Sequence, residues 1–243
     1  YNLATNAGTY TSALGVGGQF PSPPTDGVAV ESWDGSSWTE VSELNTARNQ
    51  MGGSGTGNTS ILVFGGNPGV KANTESWDGS SWTERNDLAT ARKNNGGLGT
   101  SATNAIYAGG QDATTYTAVS EEFSPAGATE SLQVEGQLYF NSTTNTFKET
   151  LKDAAAGAWA SIASGNTARR VASGVGTSVS DGMVIAGYPE ENEVETWNGS
   201  SWTEVAEVNT GRGSAGASSN SPSSSALFFG GDVRPGSPAF SAL

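Results

Sequence analysis

The chain has 243 residues, a formal net charge of −13, no histidine, no cysteine and 35% hydrophobic residues. Without His or Cys it has no His-based catalytic triad, no thiol nucleophile, no imidazole or thiolate metal site and no disulfide framework. The acidic balance argues against nucleic-acid binding, which draws its affinity from clustered Lys and Arg. There is no apolar run of 18 or more residues, so we expect no membrane insertion.

A unit of about 44 residues repeats along the chain. The ten residues from Glu31 to Glu40 recur unchanged from Glu75 to Glu84, and with two substitutions from Glu195 to Glu204. An Arg lies at the end of an Asn-Thr-Ala-Arg-like segment in four units, and 18 or 19 residues after it an apolar run ends in Gly. Such a period predicts a repeat architecture, a class used for binding and assembly more than for catalysis.

Each unit predicts four short strands. A Gly/Ser/Thr-rich segment such as Asn49 to Asn58 precedes a buried apolar strand that ends in Gly-Gly; a third strand ends in Glu-Ser-Trp and a fourth begins at Trp-Thr-Glu. Trp33 and Trp38 flank Asp-Gly-Ser-Ser, which suits a tight turn because Asp and Gly tolerate positive φ. We therefore expect the two rings to be cross-strand neighbours, and the seven Trp to supply much of an all-β core.

Five copies of the Gly-Gly strand predict five units, at about residues 1–48, 49–92, 93–169, 170–212 and 213–243. The first copy places its Arg one residue before Tyr1, so we expect the chain to be a fragment or a processed product of a longer polypeptide. The fifth has Phe240 at the third-strand aromatic position and lacks an outer strand. Either five units close a ring in which the last unit lacks its outer strand, or further units lie outside the sequence. We expect five units.

One unit is interrupted between its third and fourth strands, where Phe123 and Trp159 are separated by about 31 extra residues. This insert, at about residues 126–157, contains alternating apolar residues around a polar stretch from Leu138 to Phe147, which predicts a β-hairpin. Insertions in repeat arrays often make the partner contact. Tyr139, Phe140 and Phe147 are the candidate binding residues, although Phe147 could equally face inward and hold the hairpin together.

The order of these landmarks resembles the Kelch repeat: Gly-Gly closing a strand, an aromatic residue, Trp at a short fixed distance and then Arg. The resemblance implies a β-propeller of four-stranded blades; the WD-repeat alternative fits less well because that family uses a Gly-His pair. The amino-acid sequences of Ser32 to Glu40 and Leu44 to Arg48 resemble those of Kelch-like repeats in structural proteins of marine and cyanobacterial tailed phages. The stretch from Glu135 to Glu149 also resembles a hairpin that recurs in phage tail and fibre proteins.

Two sets of charged residues leave alternatives open. One set is the recurring arginines, which could converge on a central channel and form an anion-binding ring: Arg48, Arg92, Arg169 and Arg212. Alternatively, each could have a structural role and bind a repeat Glu such as Glu31 or Glu75, or backbone carbonyls between blades. Recurrence in every unit favours the structural role. The acidic run from Glu190 to Glu193 could bind a cation such as Ca²⁺, and we interpret it as a solvated loop. We expect no metal and no cofactor.

A carboxylate-pair glycosidase is formally possible, but the prominent acids recur once per unit, as scaffold residues do, so we expect no enzyme activity. The predicted function is a virion structural, decoration or host-attachment module of a tailed phage. Its expected partners are other virion proteins, a host-surface glycan or protein, or further copies of the chain. The alternative is a secreted or cell-surface bacterial propeller that binds glycan or protein.

Overall fold

The computed structural model describes residues 5–21, 24–94, 96–124, 138–141, 146–149, 157–188, 191–218 and 221–232. Over these ranges the chain is all-β, as predicted, with 22 strands and one 3-10 turn at Ser223–Ser225. Nowhere in the same ranges is a helix long and apolar enough to span a membrane.

Four antiparallel sheets of four strands follow one another along the chain, which confirms the predicted four-stranded units. The first contains β1 (Thr5–Thr9), β2 (Ser12–Val16), β5 (Val30–Trp33) and β6 (Trp38–Val41). The second contains β7 (Gly52–Gly57), β8 (Ser60–Phe64), β9 (Thr74–Trp77) and β10 (Trp82–Arg85). The third contains β11 (Gly97–Ser101), β12 (Asn104–Ala108), β13 (Ser120–Ser124) and β16 (Ala158–Ile162). The fourth contains β17 (Ser173–Ser178), β18 (Asp181–Gly187), β19 (Glu191–Trp197) and β20 (Trp202–Val205).

Three two-stranded sheets accompany them. In the fifth unit β21 (Gly216–Ala217) pairs with β22 (Phe228–Phe229), while Phe240 lies outside the described residues. In the insert β14 (Leu138–Asn141) pairs with β15 (Thr146–Glu149). A third hairpin, β3 (Gln19–Pro21) with β4 (Pro24–Asp26), lies between β2 and β5, and the repeat pattern did not predict it because the other units have no counterpart.

The tryptophan pairs are cross-strand neighbours, as predicted. Trp33 pairs with Trp38 and Trp77 with Trp82 in the strand register, and their ring centroids lie 5.4 and 5.3 Å apart. In the third sheet Phe123 pairs with Trp159, which confirms that the insert lies between the third and fourth strands. At about 25 cal/mol per Å², burying one such ring contributes several kcal/mol.

The Asp-Gly-Ser-Ser turns are closed by the Asp side chain. Asp34 Oδ1 accepts hydrogen bonds from the Ser36 and Ser37 amides at 2.8 and 2.9 Å, and Gly35 has a φ of +100°. The bonds from the backbone N–H of Ser37 and then of Ser36 lower the pKa of Asp34 to about 2. The equivalent turn lowers the pKa of Asp78 to about 2 in the same way.

The apolar core lies between successive sheets. Leu14 and Val30 of the first sheet pack with Ile61 and Trp77 of the second. Each later junction has its own cluster, centred on Phe64 and Tyr107, on Ile106 and Trp197, and on Ile185 and Phe228. The sheets therefore stack face to face in chain order.

Glycine allows the innermost strands of neighbouring sheets to approach closely. A Cβ atom at Gly97 of β11 would lie 2.5 Å from the carbonyl oxygen of Gly53 on β7. One at Gly174 of β17 would lie 2.8 Å from the carbonyl oxygen of Gly97. At Gly97 and Gly174 backbone therefore packs against backbone, whereas Cβ atoms at Gly52 and Gly53 would meet the side chains of Phe64 and Thr5.

Candidate functional site

Arg48 is fully buried and joins the first unit to the second sheet. Its Nη2 donates to Glu75 Oε1 at 2.6 Å, and its Nη1 donates to the carbonyl oxygens of Asn73 and Gly65 at 2.6 and 3.3 Å. The second carboxylate oxygen of Glu75 accepts the Asn45 amide at 2.9 Å. Burial lowers the pKa of the Arg48 guanidinium, and the Glu75 carboxylate opposes that shift. We call this arrangement of Arg, Glu and carbonyls the Arg–Glu lock.

Two further locks repeat the same geometry. Arg92 Nη2 donates to Glu121 Oε1 at 2.9 Å, and Arg169 Nη2 donates to Glu195 Oε1. In each, the Arg follows the fourth strand of one unit and the Glu lies on the third strand of the next sheet. These three guanidinium charges are neutralised inside the protein by Glu carboxylates. Of the two roles that the sequence left open, an anion-binding ring or a structural ion pair, the structure shows the ion pair.

The fourth recurring arginine, Arg212, is half-buried. Its Nη1 donates to the Gly230 carbonyl at 3.1 Å, and its guanidinium carbon lies 5.3 Å from the centre of the Phe228 ring. Because these two contacts are to the fifth unit, Arg212 also joins consecutive units.

A cavity of about 540 Å³ lies between the innermost strands of all five units. Its lining includes Thr5 and Asn6 from the first unit, Gln50 and Asn94 at the next two junctions, and Ser214 at the last. None of the described residues that line it carries an ionisable side chain. The described lining is thus a mixture of polar and apolar residues without charge, and none of the four recurring arginines belongs to it.

One residue at each junction, two positions after the recurring Arg, adopts the left-handed conformation beside this cavity. The φ values are 54° at Gln50, 64° at Asn94, 50° at Val171 and 54° at Ser214. Their backbones form a chain of hydrogen bonds from Asn94 N–H to Gln50 C=O at 2.9 Å, from Val171 to Asn94 at 2.5 Å and from Ser214 to Val171 at 3.0 Å. Positive φ is unusual for a β-branched residue such as Val. These bonds connect four consecutive units around the cavity.

A cluster that does not recur lies on the loops. The Arg170 guanidinium carbon lies 5.1 Å from the centre of the Tyr116 ring and 4.8 Å from that of Tyr188, and the two rings meet edge to face at 5.6 Å. All three residues are half-buried. The sequence pattern does not reveal this cluster, because the three residues are distant along the chain. The sequence feature that could have indicated it is the departure of Arg170 from the repeat, since Asn49 and Lys93 occupy the equivalent position in earlier units.

The candidate residues of the insert lie on the β14–β15 hairpin. Phe140 pairs with Phe147 and Tyr139 with Lys148 in the strand register. The structure thus brings Phe140 and Phe147 opposite each other in the backbone ladder. The contacts of these three candidates remain a prediction.

The acidic run is split by the described range: Glu190 lies outside it, and Glu191 to Glu193 lie on β19. The Glu193 carbonyl accepts a hydrogen bond from Arg169, and the Asn192 side-chain NH₂ donates to the Glu207 carboxylate. No group of three or more Asp or Glu suited to a metal ion occurs in the part of the chain that the structure describes.

Comparison with known proteins gives a fold and no family. No family model matches the chain, and no curated protein matches it. Among solved structures it is similar to one titled "Structure of YjhT", with a TM-score of 0.59 and 14% sequence identity, over 95% of this chain and 72% of that one. At this identity the likeness is one of fold alone.

Proposed function

We propose that this chain is a non-enzymatic binding module, built as a five-bladed Kelch-like β-propeller and carried on the virion of a tailed phage. The observation that carries the binding role is the division between recurring and unique residues. Three of the recurring Arg are held with their Glu partners in internal locks, whereas Tyr116, Arg170 and Tyr188 and the inserted hairpin occur once. Unique features on a repeated scaffold are where a partner contact belongs.

The propeller is supported by the arrangement of the sheets. They stack in chain order, each through its own apolar cluster. Residues from all five units line one cavity, and three backbone hydrogen bonds run from unit to unit beside it. A radial arrangement of blades around an axis accounts for all three observations.

The proposed virion role is supported by the resemblance of two sequence motifs and of the insert to phage proteins. The Trp-Asp-Gly-Ser-Ser-Trp hairpin and the Asn-Thr-Ala-Arg segment resemble phage Kelch-like repeats, and the insert resembles a hairpin of tail and fibre proteins. A role in decoration or host attachment fits a propeller that carries one inserted hairpin.

The absence of catalysis is supported by the use of the buried acids. Glu75, Glu121 and Glu195 each bind an Arg and one or two backbone amides. A general acid or nucleophile needs a carboxylate that is available to the substrate, and these three are committed to the scaffold.

The virion role is tested by replacing residues 124–158 with Asp-Gly-Ser-Ser, which restores the turn of the sibling units between Phe123 and Trp159. We expect particles that lack the chain or adsorb poorly to the host, measured by particle proteomics and adsorption rate. A Tyr139→Ala/Phe140→Ala variant, which keeps the hairpin, separates its side chains from its length. Normal incorporation and adsorption of both variants would refute the role of the hairpin.

A second candidate, a secreted or cell-surface bacterial propeller that binds glycan, is favoured by the Tyr116, Arg170 and Tyr188 cluster. Aromatic rings pack on sugar faces, and a guanidinium pairs with carboxylates of acidic glycans. Binding to a glycan array, lost in Tyr188→Ala and retained in the exposed-site variant Glu204→Gln, would support it. Localisation of the chain on a phage particle by antibody labelling would decide against it.

A further inference from the structure

The cluster of Tyr116, Arg170 and Tyr188 and the root of the insert lie at opposite ends of β13. This strand begins at Ser120, just after the loop that carries Tyr116, and the other two members of the cluster lie beside the Tyr116 ring. The insert leaves β13 after Ser124 and rejoins the sheet opposite that residue. Five strand residues span about 16 Å, so the two features are separated by the length of the strand.

Arg170 differs from the arginines of the Arg–Glu locks because its guanidinium has no acceptor. In each lock the two Nη atoms bind a carboxylate and backbone carbonyls. The Arg170 side chain makes no hydrogen bond or ion pair with a described residue, and its Nε is buried without an acceptor. The Tyr116 and Tyr188 rings attract the cation but accept no N–H in its plane. The guanidinium thus has donors to offer to a ligand.

Lys93 places a second cation close to Arg170. The residues that follow them are joined, since the Val171 N–H donates to the Asn94 carbonyl at 2.5 Å. The backbone of Lys93 also pairs with the loop that carries Tyr116. The Lys93 ammonium donates to a neutral side-chain amide oxygen at 3.1 Å and forms no ion pair with a described residue. Two positive charges without a carboxylate partner therefore lie on adjacent junctions.

The surrounding groups limit the kind of anion that these cations can bind. Asp112, the acid of the Tyr116 loop, accepts the Thr114 and Thr115 amides at 2.7 and 2.8 Å and forms no ion pair with Arg170. The chain as a whole carries a formal charge of −13, which repels polyanions. The exposed Thr114 and Thr115 place neutral hydroxyl groups beside the cluster. A ligand with one carboxylate among neutral hydroxyls matches this setting better than an acidic peptide or a sulfated polymer.

We propose that Arg170 and Lys93, flanked by Tyr116 and Tyr188, bind a uronic acid unit of a glycan at the end of the sheet opposite the insert. The sugar carboxylate accepts charge-assisted hydrogen bonds from the guanidinium and the ammonium. The half-buried rings contact the sugar carbon atoms with the surface that Arg170 leaves uncovered. This inference rests on the binding role proposed above and names its ligand class. It does not depend on the virion assignment.

The test is calorimetric titration of the full chain with a galacturonic acid trisaccharide, and the matched neutral probe is a galactose trisaccharide. We expect saturable binding of the acidic sugar alone. Arg170→Gln and Lys93→Gln should each weaken binding about tenfold, because each removes one charge-assisted hydrogen bond. Arg85→Gln is the matched control: it removes the same charge from β10, where Arg85 binds Ser76, and should leave the affinity unchanged. The urea midpoint of each variant reports its folding, and Lys93→Gln, which keeps the ring stack, remains informative if Arg170→Gln unfolds.

The variant in which Asp-Gly-Ser-Ser replaces residues 124–158 separates this inference from the proposed function. We expect it to bind the acidic trisaccharide as the full chain does, since its site is at the other end of β13. Loss of sugar binding in this variant would contradict the two-ended arrangement. If the full chain does not bind the acidic sugar while the same variant still fails to enter particles, the inference fails and the proposed function stands.

Three further results would overturn the proposal. The first is equal binding of the acidic and the neutral trisaccharide, which would show that the carboxylate is not recognised. The second is binding that Arg170→Gln and Lys93→Gln, both folded, leave unchanged. The third is tighter binding of a glutamate-rich peptide than of the acidic sugar, because the ligand would then be an acidic protein segment.

Discussion

At the scale of single residues, the Arg–Glu locks are the polar groups on which the fold depends most. Arg48, Arg92 and Arg169 are almost fully buried. A buried guanidinium is tolerated only because each is paired with a carboxylate and with backbone carbonyls. The pairs also orient the loops, since the carboxylates bind backbone amides of the segments that carry the arginines.

Removing one member of a lock should be more damaging than removing both, because it leaves a buried charge without its partner. Arg92→Met leaves Glu121 buried without its cation, and we expect it to lower the free energy of unfolding by about 3–5 kcal/mol. Urea denaturation measures the loss, with Glu204→Gln as a surface control within about 0.5 kcal/mol of wild type. The double variant Arg92→Met/Glu121→Leu should recover part of the loss, because no unpaired charge remains, although the Ala89 and Thr90 amides lose their acceptor; a double variant as unstable as Arg92→Met would contradict this account.

The turn aspartates should make stability depend on acid. The pKa of Asp34 and of Asp78 is about 2 in the folded protein, below the ordinary value of 3.8. Since the folded pKa is depressed, the stabilisation is fully present above the ordinary pKa and is lost as pH falls towards 2. Asn198 accepts the same two amide bonds in the fourth sheet.

An Asp34→Asn/Asp78→Asn variant should therefore keep its turns and lose part of the acid dependence. The measurement is the unfolding midpoint in urea at pH values from 5 to about 2, the window set by the depressed pKa. We expect the curves of variant and wild type to converge as the pH falls. Parallel curves over this window would show that the two carboxylates do not contribute.

At the scale of elements, the repeated hairpin shows that the same ten residues can contribute differently to stability in different environments. Trp82 is buried against the preceding unit, whereas Trp38 in the identical hairpin is exposed. Trp82→Ala should cost about 3–5 kcal/mol, as large core truncations do. Trp38→Ala should cost distinctly less. Denaturation of the two variants side by side checks the difference, and equal losses would mean that Trp38 is covered in solution.

The elements also mark how far the sequence could predict the structure. The four strands of each unit and the cross-strand Trp pairs followed from local alternation and a strict period. The period also located the insert, since Phe123 had to meet Trp159. It could not predict the β3–β4 hairpin, which occurs once, or the Tyr116, Arg170 and Tyr188 cluster, which depends on packing between distant loops. It suggested a Glu partner for each Arg without indicating that the partner lies on the next sheet.

At the scale of the whole molecule, the inner strands determine how closely the units can stack. Gly97→Ala should cost several kcal/mol, because its Cβ would lie 2.5 Å from the Gly53 carbonyl oxygen and backbone cannot yield as a side chain can. Gly15→Ala is the matched control: its Cβ would have no neighbour closer than 3.8 Å. Thermal unfolding of both variants measures the difference. A Gly97→Ala protein as stable as Gly15→Ala would show that the inner strands can separate without loss.

The Arg–Glu locks also constrain how such an array can change length over evolution. The arginine that closes one sequence unit is buried against the following sheet, so a cut at the boundary of a sheet separates an arginine from its glutamate unless an equivalent unit follows. A duplication or deletion that removes only the Arg or only the Glu of a pair would leave the other charge buried without a partner. One that spans a full period, from any point in a unit to the same point in the next, would join an arginine to an equivalent glutamate. Arrays of this design should therefore gain and lose units only in whole periods.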